Sequence, residues 1–140
     1  MATLKISDLS IGDWVQNNYG DYVKVEGIWQ GCNFNYQVDI LRNVKIATIV
    51  PCNLHPIPIT AEILEKNGLD RHERDADNPE IIVLSNHFIM ARTYTDVDWW
   101  RVLIYDEELP SRELFNGIIY SVHQLQHALR LAGVEKEINL

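Results

Sequence analysis

Two histidines, His123 and His127, lie four residues apart in the segment YSVHQLQHALRLAG, which runs from Tyr120 to Gly133. On a helix this spacing places both imidazoles on one face, as in the zinc-protease motif His-Glu-x-x-His. The glutamate of that motif activates the zinc-bound water, but this sequence has Gln124 there, and an amide cannot accept a proton at neutral pH. A hydrolytic zinc centre on this helix would therefore have no general base.

The apolar residues of the same segment favour a packing role instead. They form one continuous stripe along the helix, at Val122, Leu125, Ala128, Leu129 and Ala132. His123 and His127 border this stripe, and Gln126 lies further round the helix. The other three histidines have no spacing that places them nearby. We therefore predict a helix that packs on the protein core, with no metal site and no catalytic residue.

Other motifs that could carry chemistry are incomplete. The sequence DADNPE resembles the start of a calcium loop but lacks the required glycine and glutamate. The acidic run at 106–108 is typical of a solvated strand end. Phosphate-binding loops, dinucleotide fingerprints and nucleophile elbows are absent from the sequence, and Cys32 and Cys52 have no nucleophile or metal-site context. These features predict a protein that is not an enzyme and needs no cofactor.

Aromatic residues offer a second candidate site. Trp99 and Trp100 are adjacent on a predicted strand, so their side chains point to opposite faces and only one can enter the core unless a second layer covers the other. With Tyr94 and Arg101 they form a candidate ligand or partner contact. The helix flank at His123, Gln126 and His127 is the alternative contact. Exposed tryptophans are frequent anchors of protein interfaces.

Charge and composition exclude several function classes. The 140 residues include 12 basic and 20 acidic side chains, for a net charge of −8. A duplex-binding surface needs clustered lysine and arginine, which this chain lacks. Apolar runs are too short to cross a bilayer, and the N-terminus has no signal pattern. We therefore expect a cytoplasmic protein that binds neither membranes nor duplex nucleic acid.

The N-terminal half has the alternating pattern of β-strands. Four short strands are predicted between residues 10 and 50, with a bulge at Gly27 and a turn at Arg42–Asn43. They would form a small bent sheet or an SH3-like barrel. Prolines 51, 56 and 58 then favour an extended connector that leads to a helix capped by Thr60 and ended by Gly68.

The C-terminal half predicts a three-strand antiparallel meander from EIIVLSNHFIMARTY and VDWWRVLIYDE, with turns at Ser85–Asn86 and Thr95–Asp96. The segment ELPSRELFNG is interpreted as a connection, and the closing helix as about 119–132. The predicted fold class is α+β: a β-rich N-terminal half followed by a meander packed with two helices. One domain over 1–140 is expected, with a subdivision into 1–52 and 53–140 as the alternative.

Three segments together resemble a group of small uncharacterised proteins encoded by bacteriophages and prophages of gut anaerobic bacteria. They are DLSIGDWVQ, HPIPITAEILEKNGL and YSVHQLQHALRLAG, in this order. The run Tyr-x-x-His-Gln-Leu-Gln is the most specific part. Relatives tend to have asparagine where this sequence has His127, so the second imidazole is outside the family pattern. The resemblance implies a viral accessory protein in the bacterial cytoplasm or in the virion, and it implies no catalytic residue.

These observations lead to a leading hypothesis and two alternatives. The leading hypothesis is a noncatalytic accessory protein that binds a host or phage protein, with homo-oligomerisation as a further option. The first alternative is a sponge that sequesters a small nucleotide messenger of antiviral defence, stacking its base on aromatics and holding phosphate with Arg92 or Arg101. The second alternative is a metal-dependent hydrolase that uses His123 and His127.

Overall fold

The computed structural model describes residues 4–30, 36–42, 45–49, 51–69, 80–85, 87–92, 98–109 and 111–140. The chain divides into two compact units, residues 1–57 and 58–140. Each unit contains one four-stranded antiparallel sheet, and both described α-helices belong to the second unit. The predicted α+β class with a β-rich N-terminal half is confirmed.

The first unit is a meander whose strands follow one another in chain order. Its strands are β1 (Trp14–Gln16), β2 (Tyr22–Gln30), β3 (Tyr36–Arg42) and β4 (Lys45–Ile49). Short 3-10 helices at Ile6–Asp8 and Pro51–Asn53 flank the sheet. In the described part of the chain β1 and β4 are the two edges of an open sheet, so the alternative of a closed SH3-like barrel is wrong.

Alternating apolar residues explain how this sheet is stabilised. One face is buried and forms the core of the unit, with Leu4, Leu9, Val15, Val23, Val25, Val38, Ile40 and Leu54. Full burial of each such side chain contributes roughly 1.5–3 kcal/mol before entropy is counted. The pairing register shifts between Val25 and Gly27, which confirms the bulge predicted at Gly27. The bulge moves the following residues of β2 into a new register with β3.

The second unit opens with a short helix, α1 (Ala61–Lys66). Thr60 caps it as predicted, since its hydroxyl oxygen accepts a hydrogen bond from the Ile63 N–H at 3.2 Å. Gly68 follows the helix with φ of 68°, a left-handed conformation that glycine adopts without a steric penalty. Both predicted boundaries of α1 are therefore confirmed.

Four strands in sequential order form the second sheet. They are β5 (Glu80–Ser85), β6 (Phe88–Arg92), β7 (Trp100–Tyr105) and β8 (Glu113–Ile119). The prediction of three strands was wrong because β8 was interpreted as a connection: Pro110, Asn116 and Gly117 are residues typical of turns. The turn predicted at Thr95–Asp96 lies outside the described residues.

The closing helix α2 (Val122–Leu131) follows β8 almost directly. It begins three residues later than predicted, because Ile118 and Ile119 continue the strand. Gly133 ends the helix with φ of 71°, as predicted. None of the helices in the described ranges is long and apolar enough to cross a membrane.

The chain after α2 is fixed by a side chain next to α1. The buried amide of Asn67 accepts a hydrogen bond from the Asn139 N–H at 2.7 Å and donates one to the Asn139 carbonyl at 2.9 Å. The same amide nitrogen also donates to the Ile63 carbonyl at 2.8 Å. Ile138, next to this clasp, is 2% exposed. The last residues therefore pack within the second unit and form no strand.

Candidate functional site

Gln124 stands where the zinc-protease motif has its glutamate, and it has a structural role at the start of α2. Ser121 is the N-cap, and its side chain accepts the backbone N–H of Gln124. Gln124 Oε1 in turn accepts the N–H groups of Tyr120 at 2.7 Å and Ser121 at 3.3 Å. This reciprocal arrangement is a capping box, which satisfies backbone donors that the first helical turn leaves unpaired. Gln124 therefore holds the helix start in place.

His123 lies beside the same cap. Its Nδ1 is 3.0 Å from Ser121 Oγ, and its ring meets that of His127 edge-on, with 5.8 Å between the centroids. Ser121 and His123 are each 3% exposed, so the serine–histidine pair is buried. The pair resembles a catalytic dyad in composition only. Because the serine oxygen also accepts from the backbone, its geometry is that of a helix cap.

Metal-ligand chemistry has no assembled site in the described ranges. They contain no group of three or more His, Cys, Asp or Glu side chains placed to share an ion. A structural zinc site needs four such ligands and a catalytic one needs three. His123 and His127 are close together, but two imidazoles are fewer than either kind of zinc site needs. In addition, Nδ1 of His123 is 3.0 Å from the hydroxyl oxygen of Ser121.

An open groove lies where β8 and α2 meet, and we call it the β8–α2 groove. Its volume is about 230 Å³, and it is lined by Phe115, Ile118, Ile119, Gln124, His127, Ala128 and Leu131. Sites that enclose small-molecule ligands usually have volumes of roughly 300–1,000 Å³. The groove is therefore small for a nucleotide, but it has room for one or two apolar side chains.

Several apolar residues of β8 and α2, at the groove and near it in sequence, are exposed. Leu131 is 58% exposed and Ile118 is 42% exposed at the groove itself, and Leu114 and Tyr120 are about half exposed at the two ends of β8. Apolar residues exposed singly are ordinary, but a contiguous exposed patch marks an interaction site. His127 and Gln124 supply the polar groups of the groove lining. The combination is apolar contact with a few hydrogen-bonding groups.

β8 is also an edge of its sheet. Of the strands that the structure describes, β7 is its only neighbour, in a register that pairs Trp100 with Ile119 and Leu103 with Asn116. An edge strand presents unpaired backbone N–H and C=O groups, to which another extended chain can add. The ring of Phe115, which lines the groove, lies over Gly117 on the same strand.

The residues of the aromatic site predicted from the sequence differ in their exposure to solvent. Trp100 is 2% exposed and has the guanidinium of Arg92 over its ring, with 4.6 Å between Cζ and the centroid. Trp99 precedes the strand and is half-buried. Arg101 is exposed and donates to Asn116 Oδ1 at 2.8 Å. Tyr94 lies outside the described residues.

The three residues predicted on the flank of α2 also differ in their exposure. His123 and Gln126 are buried, at 3% and 7% exposure, whereas His127 is half-buried and lines the groove. A helical wheel alone placed all three on one polar shoulder. It missed the groove because the groove depends on Phe115 and Ile118, from a segment interpreted as a connection. The alternation of Leu114, Asn116 and Ile118 with Phe115, Gly117 and Ile119 was the signal for that strand.

Comparisons with models of protein families, with curated proteins and with solved structures found no match for this chain.

Proposed function

We propose that the protein is a noncatalytic binding module that takes an extended segment of a partner protein along β8. The partner segment would add to the sheet as a further strand and place one or two apolar side chains in the β8–α2 groove. The single observation that supports this most directly is the position of the groove: an apolar groove, with Leu131 58% exposed at its rim, adjoins an edge strand.

Strand addition divides recognition between two kinds of contact. Backbone hydrogen bonds along β8 supply affinity, and pockets for alternate side chains supply specificity. A groove of about 230 Å³ fits a leucine- or isoleucine-sized side chain. His127 and Gln124, at the groove wall, are able to bond polar groups of the incoming segment. We therefore propose a segment with alternating apolar residues.

Charge defines the partner further. Residues 58–140 contain 15 acidic and 8 basic side chains, so most of the net negative charge of the protein belongs to this unit. Complementary charge speeds association and disfavours acidic competitors. We propose that the segment carries lysine or arginine on either side of its apolar residues. The sequence resemblance to phage and prophage proteins supports a host or phage protein as the partner, in the bacterial cytoplasm or in the virion.

The nucleotide-sponge alternative has less support from the placement of its residues. Arg92 lies against Trp100, and Arg101 donates to Asn116, so each guanidinium already contacts another side chain. Trp100, one of the aromatic residues of the candidate site, is buried. We therefore keep nucleotide binding as an outcome of the test below and do not propose it as a function.

The test compares wild-type protein with Ile118→Glu and Leu131→Glu as baits in infected cells. Both positions are exposed enough that a charge does not enter the core. Leu109→Glu, at a position 56% exposed outside the groove, is the matched control. A partner recovered by the wild type and the control, but reduced at least tenfold with both groove variants, supports the proposal when a synthetic segment of that partner competes for binding.

Three outcomes would overturn the proposal. The first is equal recovery with groove and control variants. The second is a concentration-dependent dimer in sedimentation that both groove variants abolish, because β8 would then be a self-association edge. The third is stabilisation by a cyclic nucleotide that persists in both groove variants, since saturation about 100-fold above Kd adds roughly 2.7 kcal/mol.

A further inference from the structure

We infer that Trp29, on the sheet of the first unit, is a docking platform for an arginine side chain of a partner protein. The inference concerns a different surface from the β8–α2 groove and does not depend on it. Trp29 is 43% exposed, although its indole N–H donates a hydrogen bond to Asp39 Oδ1 at 3.2 Å. An exposed tryptophan that is held in one orientation loses little conformational freedom when a partner binds.

The strand register explains why this ring is held. Gly27 pairs directly with Asp39 across β2 and β3, and Asp39 pairs with Thr48 across β3 and β4. Trp29 is two residues beyond Gly27, so it lies on the same face and diagonal to Asp39. Thr48 Oγ1 donates to Asp39 Oδ1 at 2.7 Å, which fixes the carboxylate that orients the indole.

Gly27 leaves space beside this carboxylate. A Cβ at Gly27 would stand 3.3 Å from Asp39 Oδ2, so any larger residue would press against that oxygen. The described hydrogen bonds of Asp39 both end on Oδ1. A carboxylate offers about four acceptor positions, which leaves Oδ2 with capacity for a donor from a partner.

The ring of Trp29 and the carboxylate of Asp39 together favour binding of a cation. The face of an indole is negative and attracts lysine or arginine, and the neighbouring carboxylate adds a full negative charge. Arginine fits better than lysine, because its flat guanidinium can stack on the ring while its N–H groups donate to a carboxylate oxygen. The overall charge of −8 favours the same class of partner.

The protein itself contains two examples of this contact. Lys24 Nζ is 5.9 Å from the ring centroid of Trp14, and Arg92 Cζ is 4.6 Å from that of Trp100. Within the described ranges no cationic side chain occupies the face of Trp29 in this way. Trp29 thus has the same ring chemistry, an oriented carboxylate and an exposed face, and we propose that the cation comes from a partner.

The experiment uses nuclear magnetic resonance of ¹⁵N-labelled protein titrated with the peptide acetyl-Gly-Arg-Gly-amide. The indole N–H signal of Trp29 is identified by its loss in Trp29→Phe. The control peptide replaces arginine with citrulline, which has nearly the same shape and no charge. A lysine peptide tests the preference for a guanidinium. We expect a saturable shift of the Trp29 indole signal with arginine, weaker by roughly two- to fivefold with lysine.

Two variants test whether the shift of the Trp29 indole signal depends on the carboxylate of Asp39. Asp39→Asn keeps a side-chain oxygen for the indole and removes the charge, so the affinity for the arginine peptide should fall roughly two- to fivefold. Asp21→Asn removes an equal charge elsewhere in the same unit and should leave the affinity unchanged. Equal shifts with citrulline, no shift at tens of millimolar peptide, or equal effects of the two variants would overturn the inference.

Discussion

The aromatic ring of Phe115 lies over the backbone of Gly117, two residues further along β8: a Cβ at Gly117 would stand 2.6 Å from Phe115 Cζ. The two residues share one face of the strand, and the missing side chain of the glycine makes space for the ring. Phe115 also lines the β8–α2 groove, so the glycine makes room for a side chain of the groove lining.

The first prediction is that Gly117→Ala destabilises the fold and alters the groove. The added methyl group forces the ring of Phe115 to turn away, and such overpacking typically costs about 1–3 kcal/mol. Urea unfolding followed by circular dichroism measures the change in the free energy of unfolding.

Phe115→Leu provides the control for this prediction, because leucine lacks the distal ring atom that the methyl group would meet. The double variant should lose less stability than the sum of the two single variants, as expected for residues in contact. Additive losses, or a Gly117→Ala protein as stable as the wild type, would contradict the contact.

The second prediction concerns the cap of α2. Gln124→Ala removes the acceptor for the Tyr120 and Ser121 N–H groups and should lower the free energy of unfolding by about 1 kcal/mol. Gln124→Glu keeps an oxygen acceptor and places a negative charge at the helix N-terminus, where it is favourable. It should therefore be at least as stable as the wild type. Equal losses in both variants, measured by thermal unfolding, would refute the capping role.

The third prediction concerns the clasp between Asn67 and Asn139. Asn67→Ala removes the side-chain partner of the Asn139 N–H and C=O, two partly buried hydrogen bonds, and should lower the free energy of unfolding by about 1–2 kcal/mol. We expect this loss together with faster hydrogen exchange at Asn139. Asn18→Ala removes an exposed contact to His55 and should change stability by less than about 0.5 kcal/mol. Unchanged exchange at Asn139 would argue against the clasp.

The fourth prediction ranks the two internal cation–aromatic contacts. Arg92→Met and Lys24→Met keep an aliphatic stem and remove the charge. The guanidinium of Arg92 is closer to its ring than the ammonium of Lys24, at 4.6 Å against 5.9 Å, and Trp100 is buried. Arg92→Met should therefore cost more, about 1–2 kcal/mol against about 0.5 kcal/mol for Lys24→Met. If urea unfolding shows a larger loss of stability for Lys24→Met than for Arg92→Met, distance and burial do not determine the strength of these contacts.

Local signals in the sequence predicted much of the fold. Thr60, Gly68 and Gly133 mark helix ends through chemistry that acts within four residues, and each boundary is confirmed. The bulge at Gly27 was predicted for the same reason. The first sheet follows from alternation and short turns, which also act locally.

The missed strand shows where local signals conflict. In β8, Asn116 and Gly117 favour a turn, whereas Leu114, Phe115, Ile118 and Ile119 favour an extended chain. Six residue pairs with β7 and the ring of Phe115 over the glycine decide in favour of the strand. Neither interaction is visible in a short window of sequence.

The candidate site was predicted only in part for a related reason. His127 was predicted as a contact residue and lines the groove, but Phe115, Ile118 and Ile119 of the lining come from β8, which was interpreted as a connection. Burial of His123 and Gln126 depends on what covers the helix, and helical periodicity does not contain that information. The Trp29–Asp39 pair depends on strand register across a bulge, so it could be read only from the folded sheet.

The placement of the tryptophans gives the molecule a built-in optical probe. Trp100 is sealed from water in the second unit, whereas Trp29 is 43% exposed in the first. An indole in apolar surroundings emits ultraviolet light at shorter wavelength than one in contact with water, and ionic quenchers reach only the latter. Trp14 in the first unit and Trp99 in the second are both half-buried and also emit. In a variant with Trp14→Phe and Trp99→Phe, intrinsic fluorescence would therefore distinguish the two units, and it would reveal a stage of denaturation at which one unit has unfolded and the other is intact.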